Sequence, residues 1–243
     1  QKYSLSNTDV INWLGLIKCI PKSWKIKLVG SNVSDKNVLN TTTITTQVAY
    51  QMLIKPLLKP PTAQKSLEKS LQLDNIDWSK AYLLPRKVTI EASLRSFQYK
   101  ILNNILYLNE RLYKFNIVDS PLCSLCKLEN ESVTHLFWSC TITQNLWEQL
   151  KSWISGIIIL PYTEPQLVII GLLENCPNYI LINHIILMFK YFLYIKRHVK
   201  NEVIFSNLKL FIKGIQETER QIAHQRDKLE VHYKKWDKIV PLL

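Results

Sequence analysis

Three thiols and one imidazole fall within eighteen residues of this 243-residue chain: Cys123, Cys126, His135 and Cys140, spaced C-x2-C-x8-H-x4-C. Thiolate and neutral imidazole suit tetrahedral Zn2+, with Zn–S near ~2.3 Å and Zn–N near ~2.0 Å. A C-x2-C turn sets two sulfurs on one side of the ion, and His135 and Cys140, five apart on a predicted helix, approach from the other. The set of four is complete, so no position is left for a reactive water, and the chemistry is that of a structural Zn2+. The plain alternative is three unrelated buried cysteines and a satisfied histidine. Against it, three of the five cysteines share one window. A disulfide is the weaker alternative, because C-x-x-C without a secretory signal more often means metal or redox chemistry. Cys19 and Cys176 have no ligand-type neighbours in sequence and read as core residues.

The elements that must position this cluster are helices. Ile90, Leu94, Phe97, Ile101, Ile105, Leu108 and Leu112 recur at gaps of three and four, which predicts one helix over Val88 to Lys114, of about seven turns. Its polar face carries Lys100, Asn103, Asn104, Tyr107, Arg111 and Lys114. Lysine and arginine supply phosphate contacts, asparagine bonds base edges or sugars, and tyrosine offers a stacking plane. The same face is equally the solvated side that any amphipathic helix has.

After the last ligand, Trp147, Leu150, Trp153 and Ile154 continue an apolar pattern that ends at Gly156 and Pro161, and Pro165 to Glu174 predicts a short helix. Tyr179 to Lys200 is apolar nearly all round, as a central core helix is. Its polar stripe is Asn183, Lys190 and Arg197; Asn183 is expected at solvent, Lys190 and Arg197 along a groove for nucleic acid. A last helix is predicted from Ser206 to Ile239, with Leu208, Ile215, Ile222, Leu229 and Trp236 seven apart. Thr218, Gln225 and His232 weaken its second seam, so it is expected to pack on its own domain, with a homo-oligomer not favoured.

Residues 1–60 read as a separate unit. Ser6 or Thr8 can cap a helix through Val10, Ile11, Leu14 and Ile17, a polar stretch from Ser31 to Thr46 follows, and Pro60-Pro61 is a firm break. No signal peptide is recognisable and no charge-free apolar run reaches the ~20 residues of a transmembrane helix. The expectation is an intracellular piece of a longer polypeptide with no membrane partner. The formal charge of +12 favours an anionic partner. It is unevenly spread: +6 over residues 1–60, +3 over 61–122, −1 over 123–155 and +4 over 156–243. A thiolate-rich metal site in the least basic segment is a poor phosphate grip. The metal is therefore expected to act as a clip, and its neighbours to bind.

The residues around the ligands carry a resemblance. The run from Phe97 to Trp147, with its ligand spacing, the Ser120-Pro121-Leu122 lead-in, the Glu131-to-Phe137 approach to the histidine and Trp147 after the last cysteine, resembles the zinc-binding region near the C-terminus of non-LTR (LINE-type) retrotransposon reverse transcriptases. Weaker similarity touches Ile169 to Gly171, Phe189 to Lys196, Glu219 to Ala223 and Lys234 to Trp236. The resemblance implies a mainly α domain over 61–243 organised around a Cys3His zinc knuckle, with residues 1–60 as a helical connection from the polymerase thumb. It implies binding of template RNA or target DNA during target-primed reverse transcription, contacts with the upstream polymerase domains, and residence in the nucleus and in cytoplasmic ribonucleoprotein. The alternative is a structural or protein-interaction module that braces the polymerase or recruits a host factor.

Catalytic motifs are missing from the sequence. No Asp-Asp pair exists for a Tyr-x-Asp-Asp polymerase site, and there is no G-x-x-x-x-G-K, G-x-G-x-x-G, H-E-x-x-H or G-x-S-x-G. His184, His198, His224 and His232 are scattered along predicted helices without a nucleophile and carboxylate around them. The fragment is not expected to be an enzyme by itself.

Overall fold

The computed structural model describes residues 59–73, 76–156, 165–173 and 176–243, with Tyr50 and Ile54. Pro60–Leu243 makes up one compact unit, distinct from Gln1–Lys59. The expectations for a helix near Val10, a polar stretch after Ser31 and a core role for Cys19 lie outside the described residues.

The described unit is mostly helical, and the residues at the breaks explain where each helix stops. Helix α1 (Thr62–Leu71) follows Pro60-Pro61 and ends at Gln72, whose φ of 54° is left-handed. Helix α2 (Trp78–Val88) is capped by Asp77, whose carboxylate accepts the Lys80 N–H at 3.0 Å. Such a cap stabilises a helix by roughly 1 kcal/mol. Beyond it, the Thr89 hydroxyl accepts the Glu91 N–H at 3.1 Å and turns the chain into α3 (Ala92–Leu102).

Two predicted long helices are each broken. The stretch from Val88 to Lys114 is α3 and then a short α4 (Asn109–Lys114). Asn104 takes a φ of 49°, and the Ile105 N–H bonds back to the Lys100 carbonyl at 2.9 Å, which closes the end of α3. Asparagine tolerates this left-handed position better than most residues. Leu106 and Leu108 are then buried on either side of an exposed Tyr107, an alternation of period two that the helical spacing had disguised. The Ser206-to-Ile239 helix is likewise α8 (Phe205–Gln225) and α9 (Leu229–Trp236), separated at Asp227 with φ 53°, where the Lys228 N–H returns to the Ala223 carbonyl at 2.8 Å.

At the centre lies α7 (Tyr179–Lys196), as its near-uniform apolarity predicts. It packs against α2, α3, α8, α9 and the short α6 (Pro165–Ile169). By length and composition α7 is long and apolar enough to cross a membrane, but its 18 residues include Lys190 and Lys196, and two thirds of it (67%) is buried inside the protein, as in a core helix. Phe97 of α3 ties the layers together, with its ring centroid 5.9 Å from Phe137, 5.1 Å from Tyr191 and 5.3 Å from Tyr194. Burying three or four such rings is worth several kcal/mol beyond any single helix propensity.

Asn183, expected at solvent, is buried instead. Its carboxamide accepts the Leu172 N–H at 2.8 Å and donates to the Leu172 and Tyr179 carbonyls at 3.0 and 2.8 Å. It thus satisfies backbone that would otherwise be buried without partners. The adjoining Gly171 has φ 110°, and a Cβ there would fall 2.6 Å from Leu84 and 2.8 Å from the Asn183 carboxamide oxygen, so only glycine fits.

Candidate metal centre

The knuckle is a small hairpin followed by one wide helical turn. Leu122 and Asn130 pair as an antiparallel bridge, and the Cys123 N–H donates to the Glu129 carbonyl at 2.7 Å. Between them the Lys127 N–H returns to the Cys123 carbonyl at 3.0 Å, with Lys127 itself left-handed at φ 62°. This tight return is what places Cys123 and Cys126 side by side. Ser132 then starts the turn by accepting the His135 N–H on its hydroxyl at 3.0 Å.

His135–Ser139 form a single π-helical turn, closed by the Cys140 N–H on the His135 carbonyl at 2.8 Å. An i→i+5 bond brings residues five apart onto one side, which is why the spacing H-x4-C works here. Cys140 then stands at the head of α5 (Thr141–Ile154). Its thiol titrates well below the ordinary range, first through the hydrogen bond from Cys123 and then through the Thr143 and Ile142 N–H groups, with burial opposing. The Cys123 thiol is raised by the same pairing. An amino helix end beside a sulfur favours the thiolate that a metal requires.

The four ligand atoms of Cys123, Cys126, His135 and Cys140 lie within 4.8 Å of one another. A tetrahedral ion at ~2.3 Å from each sulfur holds two sulfurs roughly 3.8 Å apart, and Cys123 and Cys140 Sγ are 3.9 Å apart. The same geometry sets a sulfur and an imidazole nitrogen roughly 3.6 Å apart, against 3.2 Å between Cys126 Sγ and His135 Nε2. The donor set and its spacing therefore fit structural Zn2+. The other ring nitrogen, Nδ1, lies 3.1 Å from the Glu129 carboxylate and 3.3 Å from the Ser139 hydroxyl. A carboxylate there fixes the tautomer that leaves Nε2 free to ligate and strengthens it as a donor.

Sequence reasoning missed Glu131, which holds the knuckle to the rest of the domain. It is fully buried, and its two oxygens accept the Asn109 N–H at 3.2 Å and the Ser124 N–H at 2.7 Å. Arg197 Nε stands 3.3 Å from Glu131 Oε1 as an ion pair, not aimed as a hydrogen bond, while another guanidinium nitrogen donates to the Tyr107 carbonyl at 3.1 Å. One carboxylate thus joins the start of α4, the residue after Cys123 and the end of α7. An acid one residue past the Asn130 bridge is the available signal, but its partner is 66 positions away in sequence.

The predicted nucleic-acid residues separate into three groups. Asn104, Arg111 and Lys114 meet at a polar cleft of about 420 Å3 beside the knuckle, which Ser66, Ser70, Ser132 and Glu110 also line. There the Arg111 guanidinium donates to the Asn104 carbonyl and covers the Phe115 ring at 5.5 Å, and Lys114 pairs with Glu110 at 2.8 Å. Lys100, Asn103 and Tyr107 stand outside that cleft; Lys100 and Tyr107 are exposed, and Asn103 accepts from the Tyr82 hydroxyl at 3.2 Å.

Lys190 and Arg197 are corrections, because neither lines an open groove. Lys190 is buried, donating to Gln98 Oε1 at 2.6 Å and to the Ile169 carbonyl at 3.1 Å, and burial pulls its ammonium down to about 7. Arg197 is buried against Glu131, with its guanidinium 4.1 Å from the Tyr194 ring centroid. Their spacing along α7 looked like a polar stripe, but both are neutralised or satisfied within the protein. Cys176, read as core, is only half-buried.

No curated protein and no solved structure matches the chain. A protein-family match covers residues 66–147, and its family is described as zinc-binding in reverse transcriptase. All four ligands fall inside the match, and the family is defined by metal binding, which fits a non-catalytic region. Residues 66–147 are thus similar to a zinc-binding domain associated with reverse transcriptases.

Proposed function

We propose that this region belongs to a LINE-type retrotransposon reverse transcriptase and holds template RNA or target DNA beside the polymerase during target-primed reverse transcription. The observation that carries the reading is the complete Cys3His cluster inside the matched zinc domain, clamped by Glu131 to helices whose flanking segments are basic. The Ser120-Pro121-Leu122 lead-in and the Glu131-to-Phe137 approach support the LINE-type assignment. The polar cleft of Asn104, Arg111 and Lys114 lies next to the clip and offers donors of the kind that bind phosphate and sugar. Such a protein works in the nucleus at the integration site and travels in ribonucleoprotein.

A second reading has its own support. Tyr113, Phe115, Ile117, Leu122 and Leu128 are exposed along the stretch that leads into and through the knuckle, with Leu128 at 72%. Apolar side chains concentrated so are a surface for protein, here the upstream polymerase domains. Fluorescence anisotropy of the zinc-loaded chain with an RNA hairpin and a nicked DNA duplex, over a salt series, separates the two. Saturable binding whose log affinity falls steeply with log salt, near ~0.9 per phosphate contact on duplex DNA, is expected. Charge reversal at Lys100, Arg111 and Lys114 together should weaken it. Weak, non-saturating signals for both probes would transfer the function to the exposed apolar stretch.

A further inference from the structure

A second cleft, with a volume of about 590 Å3, opens where the carboxyl end of α2, the amino end of α7 and the α8–α9 corner meet. Arg86 and Lys87 come from α2, Arg226 and Lys228 from the corner, and Lys234 from α9. All five are exposed, and among the described residues none makes an ion pair. The acid that lines the cleft, Glu219, is buried and already engaged by Thr89, Lys235 and Trp236 at 3.1, 2.8 and 3.0 Å. Asp227 and Glu230 lie on the same corner but do not line the cleft. Five like charges around one mouth repel one another, and among the described residues none of them is ion-paired.

Two further features decide what kind of anion fits. The amino end of α7 opens into the cleft through Asn178 to Leu181, and it has no side-chain cap. A long helix presents partial positive charge and free N–H groups at that end. Apolar side chains line the same cleft: Val88, Ile90, Ile180, Ile222 and Val231, with the Tyr179 ring. A small inorganic anion would leave these walls wet. A duplex would touch the rim with its phosphates and leave the apolar floor uncovered, since its bases are stacked inside. A single strand offers both parts, phosphates for the rim and unstacked bases for the floor.

We propose that this cleft binds a single-stranded stretch of RNA or DNA, with phosphates on Arg86, Lys87, Arg226, Lys228 and Lys234 and a base against the apolar wall. The proposal rests on the nucleic-acid reading above but places the contact away from the zinc knuckle and from the Asn104–Lys114 cleft. In a reaction that copies RNA at a nicked duplex, single strands are the species that need holding.

The test uses the zinc-loaded 243-residue chain and three labelled probes: an unstructured oligouridine, an oligothymidine of equal length and a blunt duplex. The variant R86Q/K87Q/K234Q changes exposed side chains only, and its unchanged thermal melt serves as the folding control. Loss of three phosphate contacts on a single strand should lower the salt slope by about 2 and weaken binding about tenfold or more. A triple variant that binds both single strands as the unmodified chain does, with the same slope, overturns the proposal and leaves the broader reading standing. Failure of the unmodified chain to bind any probe overturns both. Tight capture of a glutamate-rich amphipathic peptide that no oligonucleotide displaces overturns the proposal alone, because the cleft would then be a protein site.

Discussion

Replacing Glu131 by alanine should destabilise the zinc-loaded protein by about 3–5 kcal/mol, the range seen when one member of a buried ion pair is removed. The loss follows from what the carboxylate touches. Arg197, with 8% of its side chain exposed, would keep its charge without a partner. The Asn109 and Ser124 N–H groups would lose acceptors at 3.2 and 2.7 Å. Folded domains hold only about 5–15 kcal/mol in total, so the effect is large. Glu131→Gln keeps an acceptor oxygen and should cost less. The informative variant is the double substitution Glu131→Ala with Arg197→Met, because deleting both charges removes the stranded guanidinium. It should be more stable than the sum of the two single changes predicts, by at least about 1 kcal/mol. Urea unfolding followed by tryptophan fluorescence reads all four proteins. If Glu131→Ala unfolds within about 1 kcal/mol of the unmodified chain, or if the two changes simply add, the carboxylate is not the joint described here.

Removal of zinc is a second perturbation: a structural site contributes on the order of 10 kcal/mol at neutral pH, comparable with the whole stability of a domain. Chelation, Cys123→Ser or His135→Ala should each abolish the cooperative melt of the helical unit, and a chelated protein that melts as before would refute a folding role. Glu129→Gln, which touches only Nδ1 of His135, should lower zinc affinity about tenfold while leaving the loaded fold intact, measured by competition with a chromogenic chelator. Lys190 gives a pH signature. Its ammonium is drawn from 10.5 to about 7 by burial, so between those values the unfolded chain binds more protons than the folded one. Stability must then rise with pH across that window, and the burial penalty, about 5 kcal/mol, is fully present below pH 7. Relative to Lys190→Met, the unmodified chain should gain about 2 kcal/mol between pH 7 and pH 9, and a difference that stays flat would mean that the amine is not buried as a cation.

How much of this was legible in the sequence depends on how local each interaction is. The zinc ligands were legible because their geometry is carried by spacing alone: a tight return after Cys123 and one wide turn between His135 and Cys140. The core role of α7 was legible because apolarity on every face has few other uses in a helical unit. Periodicity failed at Asn104 and Asp227, where one left-handed residue ends a helix while the apolar residues beyond happen to keep a gap of three or four. Both breaks occur at residue types that tolerate a positive φ, and neither residue announces by itself that it will use it. The bland alternative for the Asn103–Lys114 face also gained ground, since Arg111 and Lys114 already hold partners within the protein.

Charge was the least readable quantity, because a basic side chain looks the same in sequence whether it is free, paired or buried. Lys190 and Arg197 were read as groove residues and are interior. Arg86 and Lys87 belong to no motif, Lys234 enters only through the weaker family similarity, and among the described residues none of the three makes an ion pair at the cleft they line. The partners that make this difference lie far off in sequence: Gln98 is 92 residues from Lys190, and Glu219 is 130 residues from Thr89. A net charge of +12 therefore favours an anionic partner and leaves open where one would bind. The placement of the clip narrows it. Thiolates and Glu131 make the knuckle the poorest place for a phosphate, while the clip fixes the ends of α4, α5 and α7. Metal and buried carboxylate hold the frame, and on the reading proposed above the cations that make no ion pair among the described residues are the groups that would meet a polyanion.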